Sequence, residues 1–335
     1  EPYYELGRMC RAMMIDDRAL EFQQKALRQN PDFAPALYER MILHARLYRS
    51  RIRELVSEAW MAEGRRLLEQ GNVAAGDEIP LPSRGKLALQ DPMASKIRHL
   101  IESDVRSLEG APLIGKAELL SARGVLAWIT NRKEDARNAL AEAISESNNL
   151  EEVYQAIATL ELEAEQFEKA IEWWGEGIEA DAGYLPHREG RGETYLQWGI
   201  VRASQGEDPT DQYEQAIEDY RRSIGLGPDR GEGWFGRGVV RMTWAGFLEA
   251  RGENSEALYQ AALSDFDEAS RRTPVPSALW LSRGLANFNW GASKQARGED
   301  PGSYYSSAVE DFNRALKVNP NRDGIWYARG LARLN

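Results

Sequence analysis

Side chains that could do chemistry are few in this chain, and they are scattered. His44, His99 and His187 are the three histidines, and Cys10 is the single cysteine. They show no ligand spacing, so neither a metal site nor a Cys–His nucleophile is expected from them. One cysteine also excludes an intrachain disulfide. No Gly-x-Ser-x-Gly elbow, phosphate-cradling glycine loop or His-Glu-x-x-His helix occurs. Carboxylates are abundant, at 53, and a facing pair of them can hydrolyse a glycosidic bond. An α-helical carbohydrate-active enzyme is therefore a remote alternative, weakened because most tryptophans stand at repeating positions where packing accounts for them. We expect no enzyme, with no catalytic, cofactor-binding or metal-binding residues and no cofactor.

One constellation does recur. Arg191, Arg237 and Arg283 are each followed after 28 residues by an aspartate, Asp219, Asp265 and Asp311. An arginine–carboxylate pair makes directional, two-pronged hydrogen bonds. Repeated at one offset, it is expected to fix helix register, within a hairpin or between neighbours, rather than to clamp a ligand.

The elements that must position these pairs repeat as well. From Leu185 to Asn335 the sequence has a period of 46 residues, carried by Trp234, Trp280 and Trp326 and by the Arg-Gly dipeptides at 191, 237, 283 and 329. Trp198, Trp244 and Trp290 follow the same step, as do Gly206, Gly252 and Gly298, and Pro228, Pro274 and Pro320. A fixed period of this length is the signature of stacked units that bury their apolar faces against one another. Trp198, Trp244 and Trp290 are expected to form a core stripe rather than an exposed aromatic ladder.

Towards the N-terminus the units are shorter. Tyr3, Leu6, Gly7 and Cys10 fall at helical spacing, followed by Ala19, Gln23, Ala26 and Pro31. This pattern resembles the tetratricopeptide repeat, whose 34-residue unit reads Trp-x2-Leu-Gly-x2-Tyr, then Ala-x3-Phe, then Pro. Cys10 and Gln23 depart from it. Leu120, Gly124, Ala127, Ala136, Leu140 and Ala143, then Tyr154, Ala158, Ala170, Trp174 and Gly177, repeat the pattern.

Set against that pattern, the 46-residue unit is a hairpin lengthened by about twelve residues. Shared between two arms, that adds some six residues, or about 9 Å, to each. Gly206, Gly252 and Gly298 are expected at C′ with φ above zero. Asp208, Asn254 and Asp300 are expected as N-caps, with Pro209 and Pro301 at the first helical position.

The organisation expected is a repeat at 1–33; an irregular long-helix region at 34–116; two standard repeats at 117–184; three extended repeats at 185–322; and a partial repeat at 323–335. The irregular region holds a helix over about Ala36–Leu68, a loop at 71–92 containing Pro80, Pro82, Gly85 and Pro92, and a helix from Met93 to Leu108. Arg40, Arg46, Arg49, Arg51 and Arg53 line the long helix and are expected to be a solvated face, pairing with Glu39, Glu54 and Glu58 at helical spacings.

The net charge is −11, and residues 1–110 are balanced, with 17 basic and 17 acidic side chains. The remainder therefore carries all the excess, which predicts basic or apolar partners rather than nucleic acid or an anionic membrane surface. No apolar run reaches the roughly 18 residues of a membrane span. The lone cysteine favours a cytoplasmic setting. The chain opens on Glu1 and stops inside a repeat, so a segment of a longer polypeptide is expected.

The fold class expected is all-α: a right-handed α-solenoid (superhelix) of antiparallel helical hairpins. The resemblance implies a non-enzymatic scaffold that binds a peptide or partner helix in a concave groove of first helices. Carried over position by position, it implies a groove of Glu189, Glu193 and Gln197, then Phe235, Val239 and Met242, then Leu281, Leu285 and Phe288, with Tyr327 and Leu331 beyond. The Lys/Arg/Asn cluster that clamps a C-terminal carboxylate in some family members is missing. The alternative is a regulatory or self-assembly segment of a larger signalling protein, such as a kinase fusion, with self-association through the C-terminal face.

Overall fold

The computed structural model describes residues 2–12, 15–69, 84–272, 277–318, 320 and 323–334. Among the described residues the chain forms sixteen α-helices packed as sequential hairpins. It divides into two compact units, Glu1–Leu160 and Glu161–Asn335.

The first unit contains α1 (Pro2–Ala12), α2 (Asp16–Gln29), α3 (Ala34–Glu69), α4 (Arg84–Gln90), α5 (Pro92–Gly110), α6 (Lys116–Ile129) and α7 (Lys133–Glu146). α8 (Glu151–Glu163) carries the division between the units. α1 pairs with α2 and α6 with α7, while the 36-residue α3 packs on α2, α4, α5 and α6. The stretch read as a loop at 71–92 lies outside the described residues up to 83, and from Arg84 onward it is helical. α4 occupies Arg84–Gln90, and Asp91 then caps α5 by accepting from the Ala94 backbone N–H at 2.7 Å. Glycine and proline in number marked a break in periodicity; they did not prevent a short helix.

Most arginines of α3 are paired across helices rather than along their own. Arg40 donates to Asp104 of α5, which is 2 % exposed and also meets His44 Nδ1 at 2.9 Å. Arg46 reaches Asp16 of α2 at 3.2 Å, and Arg51 reaches Asp91 at 2.7 Å. Arg49 lies over the Trp128 ring of α6. Of the intrahelical pairs expected, Arg51–Glu54 forms at 3.2 Å, whereas Glu39 is buried and bonds Arg11 of α1. Arg40, Arg46, Arg49 and Arg51 tie α3 to its neighbours, so the reading of a solvated face is corrected for them, while Arg53 is exposed.

The second unit contains α9 (Phe167–Ala180), α10 (Leu185–Ser204), α11 (Thr210–Leu226), α12 (Gly231–Ala250), α13 (Glu256–Arg272), α14 (Ser277–Ala296), α15 (Gly302–Val318) and α16 (Asp323–Leu334). α10/α11, α12/α13 and α14/α15 are the long hairpins. Their arms are unequal: 20 residues in each first helix and 17 in each second, against 13 and 14 in α8 and α9. The added length goes mostly into the first arm, a correction to the equal division expected.

The turns match the sequence closely. Gly206, Gly252 and Gly298 have φ of 78°, 71° and 75°, a conformation that strains any residue with a Cβ. Asp208, Asn254 and Asp300 each accept a backbone N–H two residues on, from Thr210, Glu256 and Gly302, at 2.9–3.0 Å. They are thus turn residues one position before the cap, and the caps read from sequence shift by one.

Each long hairpin is closed by an aromatic ring set on a glycine. Tyr220, Phe266 and Phe312, all buried, cover Gly192, Gly238 and Gly284. A methyl group at Gly238 would lie 2.7 Å from Phe266 Cε1, so only glycine permits that approach. Consecutive hairpins are joined by ring contacts as well. Trp198 stacks on Phe167, Trp244 meets Tyr213, and Trp290 stacks on Tyr259, with centroids 6.0–6.2 Å apart. Trp290 is buried, and Trp198 and Trp244 are half-buried against their partner rings, so the stripe is packed rather than an exposed ladder.

Candidate functional site

The recurring arginine–aspartate pairs form as two-pronged bonds inside each hairpin. Arg191 donates through Nε and Nη2 to Asp219, both at 2.7 Å. Arg237 does the same to Asp265 at 3.0 and 2.7 Å, and Arg283 to Asp311 at 2.9 and 2.5 Å. The aspartates are 1–3 % exposed, so the charge is spent on register. The tryptophan three residues before the arginine covers its guanidinium: Trp234 over Arg237 at 4.9 Å and Trp280 over Arg283 at 4.8 Å. A second arginine also lies over each ring, Arg272 over Trp234 and Arg314 over Trp280, both at 4.7 Å.

Sequence reading missed one member of this network. Arg241, four residues after Arg237 and so on the same helix face, places Nη1 2.7 Å from Asp265 Oδ2. Asn287 reaches Asp311 from the same place in the next hairpin, at 3.4 Å. The position holds Tyr195 in α10, so chemical identity does not repeat there and offered no signal.

First helices also meet each other, α10 with α12, α12 with α14 and α14 with α16, which aligns them along one side of the unit. The residues implied as a groove fall on these helices, and most are partly buried. Phe235, Val239 and Met242 pack on the cluster of Ala262, Phe266, Ala269, Leu279 and Ala286. Leu281, Leu285 and Phe288 pack on the cluster around Ala308 and Phe312. Phe235 lies 6.0 Å from Phe266, and Phe288 5.5 Å from Tyr305. Each therefore has a structural duty besides any exposed edge. Tyr327 of α16 is more open, at 48 %.

The polar end is arranged differently for its two carboxylates. Glu193 accepts from Gln197 Nε2 at 3.3 Å, one turn on, and both remain partly exposed. Glu189 is drawn inward, accepting from the Ser223 hydroxyl at 2.8 Å and lying 3.6 Å from Arg230. Burial holds its carboxyl above the ordinary range, against the opposing pull of Arg230 and Ser223. A carboxyl that binds its proton more tightly folded than unfolded stabilises the fold at low pH, and that contribution is lost as pH rises through the folded pKa. Glu189→Gln keeps an acceptor for Ser223 without a charge to bury. In urea unfolding its midpoint should exceed that of the unsubstituted chain near pH 8, the gap closing towards pH 4; a gap that widens on acidification would contradict this placement.

No described helix is long and apolar enough to cross a membrane. No family model matches the sequence, and comparison with curated proteins finds no match. Solved structures do resemble it. A thermophilic tetratricopeptide repeat protein of Thermus thermophilus aligns with 65 % of this chain and 100 % of its own, at 16 % identity and a TM-score of 0.47. A tetratricopeptide repeat protein of Parabacteroides merdae aligns over 99 % of this chain and 98 % of its own, at 14 % identity and a TM-score of 0.45. The C-terminal part of a repeat-containing protein of Cytophaga hutchinsonii aligns over 97 % and 98 %, at 10 % identity and 0.47. The likeness is one of helical-hairpin architecture.

Proposed function

We propose that the chain is a non-enzymatic protein-binding scaffold, with repeats of tetratricopeptide type, that takes a basic or apolar peptide or helix along the first-helix face of its second unit. One observation carries the reading: α10, α12 and α14 lie side by side and expose the edges of Glu193 and Gln197, then Phe235, Val239 and Met242, then Leu285 and Phe288. Arginine–aspartate pairing repeats from hairpin to hairpin, whereas these exposed edges change from polar to aromatic. Variation on a constant frame is how repeat arrays discriminate between ligands. A peptide lying there would set its apolar side chains against the phenylalanines and a basic residue near Glu193.

Peptide display against residues 1–335 should return sequences that combine a lysine or arginine with aromatic or aliphatic residues. Glu193→Arg and Met242→Gln should each weaken the selected peptides at least tenfold. Glu193 is partly exposed and bonded to Gln197 on its own helix, so Glu193→Arg should leave far-ultraviolet dichroism unchanged, whereas Met242 also packs on the cluster around Phe266, so its replacement is read beside a urea transition that reports the fold. Acidic peptides, or affinities indifferent to both substitutions, would overturn the reading. Truncating Phe235 or Phe288 is the poorer test, because both rings also pack on the hairpin cores.

A further inference from the structure

The irregular region carries a surface that the regular hairpins lack. One side of α5 is packed: Ile101, Asp104, Val105 and Leu108 are buried, and the helix lies against α3. The opposite side is open. Met93 is 60 % and Leu100 40 % exposed, and Leu89 of α4 is 70 % exposed. Among the described residues α7, α9 and α13 expose no large apolar side chain. Large apolar side chains exposed together, rather than singly, mark a contact surface.

Charge is unmatched on the same helices. Between Arg84 and Gly110 stand four acidic residues, and all four are engaged. Asp91 bonds Arg51, Glu102 meets Arg98 and His99, Asp104 takes Arg40 and His44, and Glu109 bonds Arg123. Lys86, Lys96 and Arg106 are exposed and enter no ion pair among the described residues. On α11 and α13, by contrast, the exposed Arg221 and Arg271 are matched by Glu218 and Glu268 of their own helices.

Spacing says what kind of body fits. Met93, Lys96, Leu100, Ser103 and Ser107 follow one another at alternating steps of three and four, which places them on one narrow stripe of α5. Such a stripe is the seam along which two helices pack. Lys86 and Leu89, three apart on α4, repeat the alternation of cation and apolar side chain. An anionic bilayer suits the surface less well, because the chain carries a net charge of −11 and the stripe holds no aromatic anchor.

We infer that the open face of α4 and α5 is a docking surface for an acidic amphipathic helix of a partner protein. The apolar edge of that helix lies on Leu89, Met93 and Leu100, and its carboxylates meet Lys86, Lys96 and Arg106. This surface is separate from the first-helix face proposed above and stands or falls independently of it. Isolated helices are marginal in water, so the probe is a side-chain-stapled peptide of Leu-Glu-Glu-Leu-Ala-Glu-Glu repeats, titrated onto residues 1–335 and followed by fluorescence anisotropy.

Saturable binding is expected, and a peptide with lysine in place of every glutamate should not bind. Lys86→Gln, Lys96→Gln and Arg106→Gln together should weaken binding at least tenfold, as should Leu89→Gln with Met93→Gln. The three cations are exposed and unpaired, so their replacement should leave the urea midpoint unchanged. Glu193→Arg should leave this affinity unchanged too. Peptide display on the first-helix face takes the triple glutamine variant as bait, which keeps failure of one reading distinct from failure of the other.

No binding, equal binding of the lysine peptide, or indifference to the glutamine variants would overturn the inference. Other occupants would overturn it as well, and each has its own signature. A membrane would show as co-sedimentation with phosphatidylserine vesicles that the triple variant abolishes. A second copy would show as a dimer that the triple variant dissociates. The chain's own residues 71–82 would show as probe binding that appears only once they are replaced by glycine and serine.

Discussion

Asp265→Ala should destabilise the fold by about 3–5 kcal/mol, the range for removing one partner of a buried ion pair. The aspartate is 2 % exposed and takes three hydrogen bonds, two from Arg237 and one from Arg241. Without it two partly buried guanidinium groups face each other with no counter-charge. Burial already holds Arg241 below the usual arginine pKa, so that group is the one least able to tolerate the loss. Urea unfolding measures the total. Hydrogen exchange locates it, with protection falling first in α12 and α13. Asp208, exposed and bonded only within its own turn, supplies the contrast: alanine there should shift the urea midpoint far less. Equal losses at the two positions would mean that the buried pair adds nothing to register.

Phe266→Ala should be nearly as damaging, again by about 3–5 kcal/mol. The ring is fully buried, and it lies on Gly238 with Phe235 6.0 Å away. Collapse into the space is resisted because the Arg237–Asp265 bond, one residue away on both helices, holds the arms at their spacing. A rigid cavity is the expensive kind. Phe266→Leu should recover more than half of the loss, and its effect is read from the same urea transitions. Gly238→Val attacks the same contact from the opposite side, by overpacking.

Much of the architecture was legible because it is periodic. A pair of residues that recurs three times at one offset, as Arg191–Asp219 does, reports a contact without any alignment. Glycines at one step reported three left-handed turns for the same reason. Where nothing repeats, that route closes. Arg40, Arg46 and Arg51 found Asp104, Asp16 and Asp91 through tertiary packing, and intrahelical spacing pointed only to the Arg51–Glu54 pair, which forms beside Asp91. The unequal arms were hidden because the period fixes a sum of lengths, not its division. The first-helix face was legible by position only. The resemblance implied Phe235 and Glu189 for it, but not the inward turn of Glu189 towards Ser223, which depends on a side chain in another helix.

The lock between arginine, aspartate, ring and glycine is the same in each long hairpin, and it bears on how such a chain changes over generations. A joint with one standard geometry accepts any unit that carries both halves. Recombination that duplicates or deletes 46 residues in phase therefore leaves every remaining joint intact, whereas a break out of phase separates an arginine from its carboxylate. Copy number can drift while the exposed edges diversify, since the residues that lock the two arms of each hairpin recur in every long unit.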